Sequence, residues 1–351
     1  MSMDRERIIW LDYARTIAII CVVITHTVQR IYDLSAESLL QSSVSSRIFA
    51  LSMFSIGRLG VPIFFFLTGY LLLDREYVDN KYISFIKRNF GGLLLTTSIW
   101  ILIYNIFNSY FYKEAIKCSV LLKNLVYLKS TAMSHMWYMP VILGIYLFIP
   151  FVANALRYTD LRNLYIPMTI AFVYMFVTPI INVFLTAKGI EPVSVLPDFN
   201  FAGGKYGFCI LLGYFIKKVD IRKVPSIQIV LLGTVAYLFT VYTQCYAAVH
   251  KINYTVWYDS ASLILTDLCI FILLSRIHFY YNKVVASISV NAFGIYLIHN
   301  PINLVLVRII NQRSRVISMM IIVITNFLVS WICVNFLTKN RRLAKILFFQ
   351  K

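Results

Sequence analysis

Residues 8–28, IIWLDYARTIAIICVVITHTV, form an apolar stretch long enough to cross a bilayer, and Arg15 and His26 interrupt it. A titratable group inside a membrane span costs free energy, so it usually serves a function. At 100° per residue, the step from Arg15 to His26 returns to within about 20° of three full turns, over a rise of about 16 Å. Both side chains are therefore predicted to project from one face of a transmembrane helix.

The composition of the whole chain agrees with a membrane protein, because 60% of its 351 residues are hydrophobic and only 14% are charged. We predict an all-α, polytopic integral membrane protein that forms a single transmembrane domain over residues 1–351, with no appended soluble domain. About ten apolar runs predict transmembrane helices, at residues 8–29, 48–73, 85–107, 136–156, 164–186, 203–217, 226–249, 257–275, 286–310 and 316–338.

The distribution of lysine and arginine predicts the orientation of the chain in the membrane. Basic residues concentrate in the loop that contains Lys217 and Lys218 and in the C-terminal segment that contains Arg341 and Arg342. Positive charge favours the cytoplasmic side, and an even number of spans puts both termini there. Four lysines between residues 108 and 134, on the predicted outer side, argue the other way.

The net charge of +18 does not indicate nucleic acid as a partner, since the charges are divided among short loops around an apolar body. Contact with membrane lipid headgroups, or with a substrate that carries phosphate, is the preferred interpretation. The six cysteines form no CxxC pair, and no metal-ligand cluster, Walker loop or GxSxG elbow occurs. We therefore expect no metal and no prosthetic group.

Four segments of the chain resemble, in order, the motifs of acyltransferase family 3. They are LDYAR at 11–15 followed by His26, RLGVPIFFFLTGY at 58–70, HMWYM at 135–139 and GIYLIHNP at 294–301. Thr68 stands where serine is usual in the family, and the basic cluster after the second span is reduced to Lys87 and Arg88. The esterase-like domain found outside the membrane in some members is not present in this sequence.

The resemblance implies a membrane O-acyltransferase of the bacterial cytoplasmic (inner) membrane. Such an enzyme moves an acyl group to a sugar hydroxyl of a cell-surface polysaccharide or of its undecaprenyl-linked precursor. Acetyl-CoA is the expected donor, with succinyl and other acyl groups left open. Proteins of polysaccharide assembly are further candidate partners. A transporter or flippase for a lipid-linked glycan or a small organic anion is the alternative function, because intramembrane charges also line transport routes.

Acyl transfer to a hydroxyl needs a base, and a neutral imidazole has a suitable pKa range. His26 is the first candidate for that base, either directly or through an acyl-imidazole, and Arg15 is the candidate contact for the phosphate or pantetheine arm of the donor. Further candidates for catalysis or substrate binding are His135, Arg58, Thr68, Trp137, His299 and Asp12, and weaker candidates for the donor phosphates are Lys87 and Arg88.

Each of these candidates also has a structural interpretation that the sequence leaves open. Arg15 and His26 can simply pair with Asp12 or with helix carbonyl groups. Arg58 can pair with Asp267 in the eighth predicted span. His299 can satisfy carbonyl groups that lose their donor to Pro301. His135 and Trp137 can belong to an interfacial belt, Thr68 can be part of a close helix contact with Gly69, and Lys87 and Arg88 can simply set the topology.

Overall fold

The computed structural model describes residues 7–78, 80–113, 115–129, 133–200, 203–310 and 314–350. These residues form helices and connecting turns and contain no strands. The helices are α1 (Ile9–Ile31), α2 (Ala36–Gln41), α3 (Val44–Arg58), α4 (Gly60–Leu72), α5 (Asn80–Phe85), α6 (Gly92–Tyr112), α7 (Cys118–Leu125), α8 (Tyr138–Arg157), α9 (Tyr165–Phe172), α10 (Thr178–Ala187), α11 (Gly204–Lys218), α12 (Ser226–Val249), α13 (Ala261–Arg276), α14 (Lys283–Ile309), α15 (Arg315–Thr338) and α16 (Arg341–Phe348). Short 3-10 or π-helical turns adjoin them at Ile86–Gly91, Ser134–Trp137, Leu161–Leu164, Val173–Val177 and Ile221–Lys223.

Eight helical segments of the described chain are long and apolar enough to cross a membrane, which confirms an all-α, multi-pass membrane protein. They are Ile9–Ile31, Val44–Leu72, Asn80–Tyr112, Ser134–Arg157, Leu161–Ala187, Ser226–Val249, Lys283–Ile309 and Arg315–Thr338. The count of ten is not confirmed, because the predicted sixth and eighth spans form the shorter helices α11, of 15 residues, and α13, of 16. A helix of that length falls short of the roughly 30 Å of hydrocarbon.

The first helix, α1, lies at the centre of the bundle, where α3, α4, α13, α14 and α15 all pack against it. Small residues make these contacts close. Ala14 and Ala18 have no exposed surface, and a Cβ atom added to Gly57 or Gly60 would clash with Thr25 or with the Ala18 carbonyl oxygen. Close approach through small residues is how helices pack in a membrane, where no hydrophobic driving force acts between them.

The contact between α4 and α11 is equally tight. A Cβ on Gly69 would clash with the carbonyl group of Ile210, and one on Gly213 would clash with the carbonyl group of Phe66. Gly69 in the second family motif therefore allows close helix packing, which is one of the two interpretations that the sequence left open for this step. The contact fixes one wall of the cavity described below.

The C-terminal helix α16 folds back against α6, α14 and α15. Trp100 on α6 donates its indole N–H to the Leu347 carbonyl oxygen at 2.6 Å, and the Thr96 hydroxyl donates to the Ile346 carbonyl oxygen at 3.0 Å. These two bonds satisfy carbonyl groups at the end of α16 that have no donor within the helix. Phe348 is buried as a result and packs near Gly294 of α14.

Candidate active site

Three histidines from separate parts of the chain meet inside the bundle. His26 lies on α1, His135 lies in the turn before α8, and His299 lies on α14. The ring centroid of His299 is 5.3 Å from that of His26 and 5.3 Å from that of His135, and His26 and His135 are 6.0 Å apart. His135 and His299 are buried, whereas His26 is partly exposed. We call these residues the histidine cluster.

Both ring nitrogens of His135 are occupied. The Tyr104 hydroxyl donates its one hydrogen to the Leu297 carbonyl oxygen at 2.5 Å, so at 3.3 Å it can only accept from His135 Nε2. In a neutral ring, Nδ1 then carries no hydrogen, and it accepts from Asn300 Nδ2 at 2.8 Å. The Tyr296 hydroxyl also donates to the His135 carbonyl oxygen at 2.6 Å. His135 is therefore held in one orientation and one tautomer.

His299 has the opposite tautomer. Its Nδ1 atom lies 2.7 Å from the Tyr296 carbonyl oxygen and 3.2 Å from that of Ile295, so Nδ1 must carry the hydrogen. Its Nε2 atom is buried and has no hydrogen-bond partner. A neutral His299 therefore presents an unshared lone pair within the cluster. In the described part of the chain, no group of three His, Cys, Asp or Glu side chains is placed to hold a metal ion.

Pro301 explains why Tyr104 is needed at this site. A proline inside a helix has no N–H group, so the carbonyl four residues before it, on Leu297, loses its helical donor. The Tyr104 hydroxyl, which is buried on α6, takes the place of that donor. The sequence offered His299 as one possible partner for such carbonyl groups, and Tyr104 was not among the candidates. The proline signalled a carbonyl without a donor, but the residue that pairs with it comes from another helix.

Arg15 and Asp12 form a polar network near the start of α1. Arg15 Nη1 lies 3.3 Å from Asp12 Oδ1 and 3.4 Å from the Ser289 hydroxyl, which itself donates to Asp12 Oδ1 at 2.7 Å. Arg7 Nε donates to the other carboxylate oxygen of Asp12 at 2.5 Å. Ser289 and His299 both lie on α14, so Arg15 and His26 face the same neighbouring helix. The prediction that they share one face of α1 is confirmed.

Two cavities adjoin Arg15. The first, of about 500 Å³, opens at the start of α1 and is lined by Arg7, Asp12, Arg15, Asp74, Arg75 and Lys217, among others. Burial raises the pKa of the Asp74 carboxyl, but hydrogen bonds from Lys218 and Lys217 outweigh this effect and hold its pKa below the usual range. Asp74 therefore stays ionised and pairs with both lysines. We call this space the charged mouth.

The second cavity, of about 370 Å³, runs deeper between α1, α4, α8 and α14. Its wall is mainly apolar, with side chains such as Phe64, Leu67 and Ile142, and it shares Arg15, Leu71 and Arg75 with the charged mouth. At its far side it is lined by Tyr296, whose hydroxyl bonds His135 and whose ring lies 6.0 Å from that of His299. We call it the apolar cavity. It leads from the cations at the start of α1 toward the histidine cluster.

A family model described as an acyltransferase domain matches residues 8–335, which is nearly the whole chain and includes all three histidines. The chain belongs to acyltransferase family 3. No curated protein and no solved structure matches it. Membership of the family shows an acyltransferase with several membrane-spanning helices.

Arg58 of this acyltransferase does not pair with Asp267. Its guanidinium donates through Nη1 to the Tyr258 hydroxyl at 3.1 Å, and its Cζ atom lies 4.2 Å from the ring centroid of Trp257 and 4.6 Å from that of Phe54. Both carboxylate oxygens of Asp267 are buried without a hydrogen-bond partner. Aromatic faces attract a desolvated cation, so Arg58 is held by rings instead of by a carboxylate.

Thr68 and Trp137 lie on different sides of the site. The Thr68 hydroxyl donates to the Phe64 carbonyl oxygen of its own helix at 2.9 Å, and the side chain lines the apolar cavity. Trp137 follows His135 by two residues and stacks on Tyr258 with ring centroids 5.6 Å apart. Thr68 is therefore adjacent to the route between Arg15 and Tyr296, whereas Trp137 belongs to an aromatic group beside His135.

Lys87 and Arg88 lie apart from Arg15. They belong to the π-helical turn Ile86–Gly91 and line a shallow surface depression together with Asn80, Ile83 and Ser84. They line neither the charged mouth nor the apolar cavity. The structure thus separates these two basic residues from the cations that adjoin the route to the histidine cluster.

Proposed function

We propose that this acyltransferase moves an acetyl group from acetyl-CoA to a sugar hydroxyl of a cell-surface polysaccharide or of its undecaprenyl-linked precursor, in the bacterial cytoplasmic membrane. The observation that carries the proposal is the path formed by the charged mouth and the apolar cavity. It begins at guanidinium groups and ends at a tyrosine that contacts two of the three histidines. A donor with an anionic head and a long, uncharged arm matches that sequence of environments.

The charged mouth suits the phosphate end of the donor. Arg15 and Arg75 line both cavities, so they stand where a phosphate-bearing head would meet its pantetheine arm. A guanidinium is always charged and presents a planar set of donors that matches phosphate oxygens. With the start of α1 on the cytoplasmic side, the donor enters from the compartment in which it is made.

The histidine cluster supplies the proton transfer. In the proposed reaction, His26 takes the proton of the sugar hydroxyl while the oxygen attacks the thioester carbonyl carbon. The carbon–sulfur bond then breaks, the acetyl group stays on the sugar oxygen, and the leaving thiolate takes up the proton to give coenzyme A. His26 is assigned this role because it is the partly exposed member of the cluster. His299, with its open Nε2 lone pair, lies beside it, with ring centroids 5.3 Å apart.

The test follows radiolabel from acetyl-CoA into glycan and glycolipid fractions of membranes that contain equal amounts of wild-type protein, His26→Ala or His250→Ala. His250 is an exposed histidine at the end of α12 and serves as the matched control. Label in the wild type and the control but not in His26→Ala supports the proposal. If wild-type membranes incorporate no more label than membranes without the protein, acetyl-CoA is not the donor. Equal labelling by His26→Ala removes His26 from the reaction.

A further inference from the structure

Four aromatic rings gather next to the histidine cluster, at the end of the bundle where α1 finishes. Trp137 lies before α8, Tyr206 lies in the first turn of α11, and Trp257 and Tyr258 precede α13. The ring centroid of Trp137 is 5.6 Å from that of Tyr206, 5.5 Å from that of Trp257 and 5.6 Å from that of Tyr258. Tyr258 is buried, whereas the other three are partly exposed. We call Trp137, Tyr206 and Trp257 the aromatic platform.

A buried cation supports the platform from below. Arg58 is 3% exposed, its Cζ atom is 4.2 Å from the ring centroid of Trp257, and it hydrogen-bonds the Tyr258 hydroxyl at 3.1 Å. Contacts of this kind hold side chains in one orientation before a ligand arrives. Arg58 therefore fixes the orientation of Trp257 and Tyr258, which an ion pair with Asp267 would not do.

An ion pair stands beside the platform. Lys205 Nζ lies 2.8 Å from Asp259 Oδ2, and their side chains are 28% and 33% exposed. Lys205 directly precedes Tyr206 in the sequence, and Asp259 follows two residues after Trp257. A ring that only anchors the protein at the lipid interface needs no such charged pair and no buried arginine behind it. These neighbours distinguish the platform from an aromatic belt.

We propose that the aromatic platform binds a pyranose ring of the acceptor, with Lys205 and Asp259 as hydrogen-bonding partners of its hydroxyl groups. The inference rests on the proposed function and adds a binding site for the acceptor. One face of a pyranose presents C–H groups, which are attracted to the negative face of an aromatic ring. An ammonium donor and a carboxylate acceptor at the edge then fix the orientation of the sugar. Because Trp137 is two residues from His135, a sugar on the platform lies beside the histidine cluster.

The platform and the two cavities therefore divide the substrates between opposite sides of the cluster. The donor reaches the histidines through the apolar cavity from the start of α1, and the acceptor reaches them from the end of α1. The three rings recognise the shape of a sugar ring, whereas the ion pair selects among hydroxyl patterns. Loss of a platform ring should weaken the binding of the acceptor and leave the binding of the donor unchanged.

The test uses the full-length protein in lipid nanodiscs, free of maltoside detergents because their headgroups are themselves pyranosides. Saturation-transfer difference NMR measures binding of the methyl glycosides of glucose, galactose, N-acetylglucosamine and rhamnose, with glycerol as the negative probe. At least one pyranoside should bind saturably, with the strongest transfer to C–H groups on one face. Trp257→Leu and Tyr206→Leu should each raise its Kd by roughly 2- to 10-fold, and Trp257→Phe should restore part of the affinity.

Trp331→Leu is the matched control, since Trp331 lies on α15 and its indole N–H donates to Ser287, away from the platform. Acetyl-CoA binding is titrated on the same samples. If acetyl-CoA binds and no pyranoside does, or if pyranoside binding is unchanged in both leucine variants, the platform proposal is overturned and the proposed function still stands. If wild-type protein binds no acetyl-CoA, the proposed function itself fails, whatever the platform binds.

Discussion

The pairing of Tyr104 with the Leu297 carbonyl group makes a prediction that a double-mutant cycle can measure. Tyr104→Phe removes the hydroxyl and leaves a buried carbonyl that cannot regain a helical donor, because the residue four positions later is Pro301. An unpaired buried polar group costs about 1–3 kcal/mol. We therefore expect Tyr104→Phe to lower the free energy of unfolding by that amount in the natural sequence.

The second arm of the cycle uses Pro301→Ala, which supplies an N–H group four residues after Leu297. In that background the carbonyl has a partner within α14, so Tyr104→Phe should cost less, and the coupling energy should be about 1–2 kcal/mol. The contact of Tyr104 with His135 is lost in both backgrounds and cancels. The four proteins are unfolded in mixed micelles, with Tyr110→Phe, an exposed tyrosine on the same helix, as the control. An equal cost of Tyr104→Phe in both backgrounds refutes the reasoning.

Two further predictions concern the charged residues. Arg58→Ala should lower the free energy of unfolding in micelles by more than about 2 kcal/mol, because a desolvated cation–π contact and a charged hydrogen bond are lost. Asp267→Asn should leave the free energy of unfolding unchanged, since Asp267 has no hydrogen-bond partner. Equal losses in the two variants would indicate that Arg58 and Asp267 form an ion pair after all. In steady-state assays, Arg15→Ala should raise the KM for acetyl-CoA about tenfold, which corresponds to a free-energy change of about 1.4 kcal/mol. Lys87→Ala should leave the KM unchanged. The opposite result would place the donor phosphates at the surface depression beside Lys87.

The part of the site that the sequence predicted is the part that helix geometry fixes locally. The turn per residue of an α-helix is constant, so Arg15 and His26 had to share a face wherever α1 was placed. The contacts of Arg15 with Ser289 and of His26 with His299, both on α14, show that they do. Apolar length predicted the membrane-spanning class in the same way. The count of ten spans is not confirmed, because α11 and α13 are apolar but shorter than the long helices.

The partners of the buried charges could not be predicted, because they depend on which helices pack together. Opposite formal charge suggested Asp267 for Arg58, but Asp267 is buried without a hydrogen-bond partner, and Arg58 lies against the rings of Phe54 and Trp257. Aromatic faces attract a desolvated cation, and this chain contains 24 tyrosines and 26 phenylalanines. In such a composition a ring near an arginine is a common outcome. The charge pattern alone therefore suggested a partner for Arg58 that the structure does not show.

The chemical roles of the histidines show the same limit more sharply. A neutral imidazole accepts a proton only at the nitrogen that has no hydrogen, and its neighbours decide which nitrogen that is. Tyr104 and Asn300 occupy both nitrogens of His135, whereas main-chain carbonyl groups fix the hydrogen of His299 on Nδ1 and leave Nε2 open. In the sequence, His135 differs from His299 only in its neighbours, because His135 lies near Trp137 and His299 lies near Pro301. Because their partners come from different helices, only the folded chain distinguishes a histidine whose nitrogens are both bonded from one that keeps a lone pair beside His26.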